Sequence, residues 1–268
     1  MDLGLKGRVA LVTASSSGLG RVIADTLAKE GADVILNGRN KENINRACRE
    51  IAINFNVNAY PCYADVTNSN QINIFFSEVL PKIGKLDILV NNAGNLEKFG
   101  LLWDLTERDW MRSFDLTFMP VVRFSLLAHP WLKRSGHGRI INIGSIPAHQ
   151  PGRANPHYAA AKAAILPVSK MMANEFAKDN ILVNVVCPST LNGGGWDKNI
   201  TLRAQRDGIT SEEAEKLMKK EEGKKSPLGR IGTLEEVANQ VVFLASDHAG
   251  FTTGQCFNVD GGLTRSIL

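Results

Sequence analysis

The chain has 268 residues, 44% of them hydrophobic, which is enough for one large core and within the range of a single α/β domain. Its formal charge of +4 comes from interspersed Lys and Arg rather than a basic block, so the balance gives no sign of nucleic-acid binding and only a modest pull on anionic ligands. No apolar run approaches the roughly 18 residues of a membrane span, and Cys48, Cys62, Cys187 and Cys256 make no C-x-x-C pair or short disulfide framework; reduced thiols in a cytoplasmic protein are expected.

Residues 8–13 form a short apolar run with β-branched members, followed by the small-residue turn 14–20. After it, Val22, Ile23, Ala24, Leu27 and Ala28 recur with helical spacing until Gly31. A glycine pair alone could be only a tight turn. Between a buried-type strand and an amphipathic helix, it aims backbone N–H groups and the positive helix end at a pyrophosphate. Ser15, Ser17, Gly18, Leu19 and Gly20 are the candidate contacts. The next strand, 33–37, delivers Gly38 and Arg39 about where a dinucleotide fold meets the adenosine ribose. An acid there would repel a 2′-phosphate, whereas Arg39 can pair with one, so NADP(H) is favoured over NAD(H), which stays possible. The bland alternative is a solvated surface arginine at a strand end.

Further strand patterns at 58–62, 86–90, 139–144, 181–187 and 255–259 alternate with helical ones. Seven strands in such alternation predict a doubly wound parallel sheet with helices on both faces, Rossmann-like, and no linker or repeat divides the chain. Asn91 and Asn92 follow the fourth strand, either as a polar turn or as part of a cleft.

Beyond the fifth strand, Ser145-x12-Tyr158-Ala-Ala-Ala-Lys162 puts a phenol and an ammonium one helical turn apart, with a hydroxyl upstream. The cation should lower the Tyr158 pKa toward the range useful for acid–base work, and Ser145 can hold an oxygen that gains charge. An isolated Y-x-x-x-K usually decorates a helix; here a hydride-carrier turn accompanies it. The five histidines, His149 and His157 among them, show no metal-ligand spacing, so no metal is expected and surface or loop placement is their default. His149 and His157, flanking the loop between Ser145 and Tyr158, are minor substrate-contact candidates.

Thr13 to Gly20, Asn91-Asn92-Ala93-Gly94, Ser145, Tyr158-x-x-x-Lys162, Pro188 and Val259-Asp260-Gly261-Gly262 together resemble the classical short-chain dehydrogenase/reductase family. Residues 227–238 are similar to its bacterial branch of 3-oxoacyl-carrier-protein reductases and sugar, steroid and polyol dehydrogenases. The resemblance covers essentially the whole chain. It implies that Asp65 and Val66 border the adenine, and that Asn92, Ala93 and Gly94 line the cofactor cleft. The resemblance further implies that Lys162 touches the nicotinamide ribose and that Pro188 to Leu191 lie against the nicotinamide. A homotetramer and a small-molecule carbonyl or alcohol substrate are implied likewise.

Three departures stand out. The first glycine of the family turn is Ala14, which is strained unless its φ is negative. The helix position of the family's relay asparagine holds Thr117. Pro120 should kink this helix and free carbonyls nearby, so Thr117 and Pro120 either preserve the proton relay together or leave a weaker one. Gly193 stands where the family pattern has the threonine expected to hold the carboxamide.

The insertion 192–226 leaves beside the expected nicotinamide and is read as a substrate lid. Thr210 to Glu213 resembles a capping box, with Ala214, Leu217 and Met218 on one face of the following helix. Trp196 is the lid residue placed to touch substrate, with hinge packing or an oligomer contact as alternatives. The reaction expected is hydride transfer between NADP(H) and a carbonyl or alcohol, with Tyr158 exchanging the proton, Lys162 tuning it and Ser145 holding the oxygen. The alternatives are a dedicated 3-oxoacyl thioester reductase and a non-catalytic NADP(H)-binding sensor.

Overall fold

The computed structural model describes residues 2–193 and 195–266, apart from the side chain of Lys198. Within the insertion expected at 192–226, Gly194 and that side chain lie outside the described residues. The strands are β1 (Val9–Val12), β2 (Asp33–Gly38), β3 (Ala59–Tyr63), β4 (Ile88–Asn91), β5 (Arg139–Ile143), β6 (Leu182–Pro188), β7 (Leu191–Asn192), β8 (Gly232–Thr233) and β9 (Cys256–Val259). Seven of them build one parallel sheet in the order β3-β2-β1-β4-β5-β6-β9. Each lies within two residues of its sequence expectation. The short β7 and β8 pair with each other, a ribbon that periodicity cannot reveal in two residues.

β1, β4 and β5 are buried along their whole length, which is why their sequences are near-continuous apolar runs. The helices are α1 (Gly18–Lys29), α2 (Lys41–Phe55), α3 (Ser69–Ile74), α4 (Leu80–Ile83), α5 (Glu107–Thr117), α6 (Met119–Ser135), α7 (Pro156–Phe176), α8 (Trp196–Asp207), α9 (Ser211–Gly223) and α10 (Leu234–Ala245). α1, α2 and α10 bury Ile23, Leu27, Ile44, Ile51, Val237 and Val241 against one face of the sheet. α3, α6 and α7 bury Ile72, Phe124, Leu132, Met172 and Phe176 against the other.

The sheet order reverses beside β1: β2 lies on one side and β4 on the other. A crevice opens outside the carboxyl ends of strands at such a point, because the following loops run in opposite directions. The phosphate-type turn after β1 and the asparagines after β4 therefore meet.

The helical run 107–135 breaks at Phe118, between α5 and α6, with Pro120 in the first turn of α6. Proline supplies no N–H for the carbonyl one turn back, which accounts for the interruption. The insertion holds two helices where one was expected. Thr210 caps α9 as a capping box with Glu213, whereas α8 has no side-chain cap to announce it. Trp196, Ile200 and Ala204 of α8 pack on Ala214 of α9 in a small separate core, and Arg203 ties α8 to Glu221.

Candidate active site

The turn after β1 is braced from below. Thr13 Oγ1 accepts hydrogen bonds from the backbone N–H groups of Asn92 and Ala93, both at 2.9 Å, and Asn92 Nδ2 donates to the carbonyls of Thr13 and Ala14. Asn37, fully buried at the end of β2, accepts from the Ala14 N–H and donates to the carbonyls of Cys62 and Ala64. Ser15 points inward, donating to Val12 O and accepting from the Asn37 N–H, so its hydroxyl serves the turn rather than the cleft. Ala14 has φ +51°, the left-handed region where its Cβ is strained. Gly20 has no room for a side chain: a Cβ there would stand 2.5 Å from Ala14 O and Asn92 Nδ2.

α1 starts at Gly18 with no side-chain cap from Ser17 and no acid in its first turn. Thr106, Thr210 and Thr233, by contrast, close α5, α9 and α10 with capping boxes. The open N–H groups of α1 face a cleft of about 380 Å³ lined by Ser17, Gly18, Leu19 and Gly20 at one end and by Ser145, Tyr158, Lys162 and Pro188 at the other. Asn92, Gly94 and Leu191 also line it.

A second cavity of about 340 Å³ adjoins the turn and is lined by Ser16, Gly38, Arg39, Asp65, Val66 and Ala93 among others. Arg39 extends into solvent and stands 3.8 Å from Asp65, a loose pairing that leaves its guanidinium available. Burial raises the Asp65 pKa, but hydrogen bonds from Thr67 and the Arg39 and Arg112 charges outweigh it and hold the carboxyl below its usual range. Ser16 sits beside Gly38 at the mouth of this cavity. Only its place in a serine run marked it in the sequence.

At the other end, β5 ends one residue before Gly144, and Ser145 opens the 3-10 turn 146–148. Pro156 in the first turn of α7 sets the helix that carries Tyr158 and Lys162. Lys162 is buried, and its Nζ donates to Ile143 O at 2.6 Å and stands 5.9 Å from the Tyr158 ring centroid. Burial pushes the Lys162 pKa down to about 8. The expected lowering of the Tyr158 pKa is not found in this state: burial raises it, opposed by a hydrogen bond from Ser145. Lys162 Nζ is not hydrogen-bonded to the phenol, so desolvation outweighs the bond from Ser145.

Thr117 is completely buried at the end of α5, and its Oγ1 has no hydrogen-bond partner. It shares a wall with Lys162: a Cβ on Gly94 would stand 3.1 Å from Lys162 Nζ and 3.5 Å from Thr117 Cγ2. Gly193 has φ +115°, a conformation a threonine would resist. The nearby Thr190 hydroxyl instead donates to Glu222 of α9 at 3.1 Å. Trp196 lies in the core of the insertion and not on the cleft wall. His149 is also absent from that wall; it turns toward Cys187 and Cys256. His157, expected at the surface, is buried on α7 against Trp110, because its position faces α5. Asn91 is structural, donating to Ser125 and Asn142.

Residues 13–264 match a family model described as enoyl-(acyl carrier protein) reductase. The chain is 34% identical to the 3-oxoacyl-(acyl-carrier-protein) reductase FabG of Escherichia coli strain K12, over 97% of this chain and 99% of the relative. It belongs to the short-chain dehydrogenase/reductase family. L-sorbose reductase from Gluconobacter frateurii, solved with NADPH and L-sorbose, superposes with a TM-score of 0.93 at 33% identity over the full length of both chains. Aldohexose dehydrogenase of Thermoplasma acidophilum superposes at 0.85 with 30% identity, covering 98% of this chain and 97% of that one. As a short-chain dehydrogenase/reductase the protein is an oxidoreductase acting on CH–OH and C=O groups.

Proposed function

We propose that this protein is an NADP(H)-dependent reductase of a carbonyl to a secondary alcohol, with Tyr158 as the proton donor. The observation that carries the reading is one cleft running from the uncapped N-terminus of α1 to Ser145, Tyr158 and Lys162. Bound nicotinamide supplies the hydride to the carbonyl carbon, or accepts it in reverse. The chain's own residues do the rest. Ser145 and Tyr158 hydrogen-bond the carbonyl oxygen, and Tyr158, its pKa held up by burial, stays protonated and gives that oxygen its proton. Lys162, below about pH 8, carries the charge that stabilises the phenolate left behind.

The donor set around the second cavity suits a 2′-phosphate: Arg39 supplies a charged fork, Ser16 a hydroxyl, and Gly38 no repulsion. Thr117, whose buried hydroxyl lacks a partner, is read as one end of the relay that returns a proton to Lys162, with carbonyls freed around Pro120 as the continuation. The insertion carrying α8 and α9 is read as the substrate lid, tied to the end of β6 through Thr190 and Glu222. Exposed Met111, Leu126 and Phe251 are in keeping with the homotetramer expected from the family resemblance.

The test is NADPH and NADH oxidation against ketoses, other ketones and 3-oxoacyl thioesters, with Tyr158→Phe and Arg39→Ala in parallel. Tyr158→Phe should lower kcat by about 10²–10⁴-fold while NADPH still binds. Arg39→Ala should raise KM for NADPH about 10-fold or more, the worth of one charge-assisted hydrogen bond, and leave NADH unchanged. Turnover that survives Tyr158→Phe would overturn the assignment. Turnover confined to 3-oxoacyl thioesters would select the narrower reading that the carrier-protein reductase relatives support.

A further inference from the structure

Cys187 lies next to the last residue of β6, and its Sγ is 3.4 Å from Sγ of Cys256 on the neighbouring β9. In the ladder Val185 stands opposite Cys256 and Cys187 opposite Asn258, so the two thiols meet diagonally on one face of the sheet. His149, directly after the 3-10 turn that follows Ser145, brings a ring nitrogen to the same point. All three donor atoms lie within 4.8 Å of one another. Three separate segments converge here, which is why no ligand spacing was visible along the chain.

Two sulfurs and an imidazole nitrogen are the donor set of a thiophilic cation. A tetrahedral ion with bonds of about 2.3 Å to sulfur needs its sulfurs roughly 3.8 Å apart, close to the separation found. Cys187 is buried, whereas Cys256 and His149 reach solvent, so an ion has an entry path and a fourth position left for water. Cys187 Sγ also lies against the segment that carries Ser145: a Cβ on Gly144 would stand 2.4 Å from it. Two thiolates would neutralise a dication, with both thiol protons released to solvent on binding.

We propose that His149, Cys187 and Cys256 form a binding site for a thiophilic divalent cation of the Zn²⁺ type on the rear side of the catalytic serine. None of the three residues lines the cofactor cleft, although Cys187 is followed by the cleft residue Pro188 and stands near enough to act electrostatically on Tyr158 and Lys162. The site shares the segment that carries Ser145, so an ion here would stiffen the catalytic hydroxyl's support without touching NADP(H).

The test is titration of the reduced, untagged protein with Co²⁺, read by thiolate-to-cobalt charge transfer and visible d–d absorption, followed by displacement with Zn²⁺. One equivalent of Co²⁺ with a charge-transfer band is expected. Cys256→Ser and His149→Ala, at solvent-reaching positions where folding tolerates change, should each weaken binding by about 100-fold or more, since loss of an outer-shell partner alone costs 10–100-fold. Cys48→Ser, distant on α2, should leave it unchanged. No charge-transfer band, or a band that survives both Cys256→Ser and His149→Ala, would overturn the site. So would thiol chemistry limited to disulfide closure with an added oxidant and no cobalt spectrum. Each readout is independent of turnover, so the reductase assignment stands or falls separately.

Discussion

Lys162 and Tyr158 are one helical turn apart, yet each environment works against its charged form. Burial desolvates both Lys162 and Tyr158, and both pKa shifts point to the neutral state. A lysine depressed to about 8 holds its charge below that pH and loses it above. The pH profile of kcat/KM for carbonyl reduction, which reports the free enzyme, should therefore fall with a limb near pH 8, and Lys162→Met should remove the limb along with most activity. A profile flat from pH 7 to 9.5 would contradict this. Ala14 offers a second residue-scale outcome. Held at φ +51°, it should be relieved by Ala14→Gly, with a gain of about 0.5–1 kcal/mol and a melting point about 1–3 °C higher by calorimetry. An unchanged or lower Tm would mean the turn carries no such strain.

At the scale of elements, the break between α5 and α6 and the paired helices of the insertion are the distinguishing features. Pro120→Ala restores an N–H at the interruption and should let the helix run on through Phe118. The expected readout is a lower kcat for reduction with KM for NADPH unchanged, and a changed solvent-isotope dependence, while Thr117→Asn leaves both close to wild type. The opposite pattern would place the relay elsewhere. Thr190→Val cuts the hydrogen bond to Glu222 that ties α9 to the end of β6. It should speed proteolysis within 195–226 and raise KM for the carbonyl substrate severalfold, since a hydrogen bond to a charged group is worth up to about 1.5–3 kcal/mol net of water. Equal cleavage rates in the two proteins would rule out the tether.

Across the whole molecule, the crevice exists because the sheet order turns back at β1, bringing the loops after β1, β2, β4, β5 and β6 to one edge. That topology was legible, since the apolar runs of seven strands alternate with helical patterns and short right-handed crossovers leave few arrangements. The turn glycines, Tyr158 and Lys162 were legible too, because their spacing is local. Asn37 was not: an asparagine at a strand end carries no mark of the three backbone groups it bonds, in the turn after β1 and around the end of β3. At Trp196 the sequence leaves substrate contact, hinge packing and oligomer contact open, and only the packing of α8 on α9 decides for the core.

The sequence by itself determined the order of elements, the dinucleotide-type turn and the one-turn spacing of Tyr158 and Lys162 on α7, all of which depend on neighbours within a turn or two and on the periods of helix and strand. Tertiary structure alone decided what depends on distant segments meeting. It set the burial that raises Tyr158 and lowers Lys162, the inward turn of Ser15, and the meeting of His149 with Cys187 and Cys256. Desolvation and convergence are properties of the packed chain, so they enter only when the helices close over the sheet.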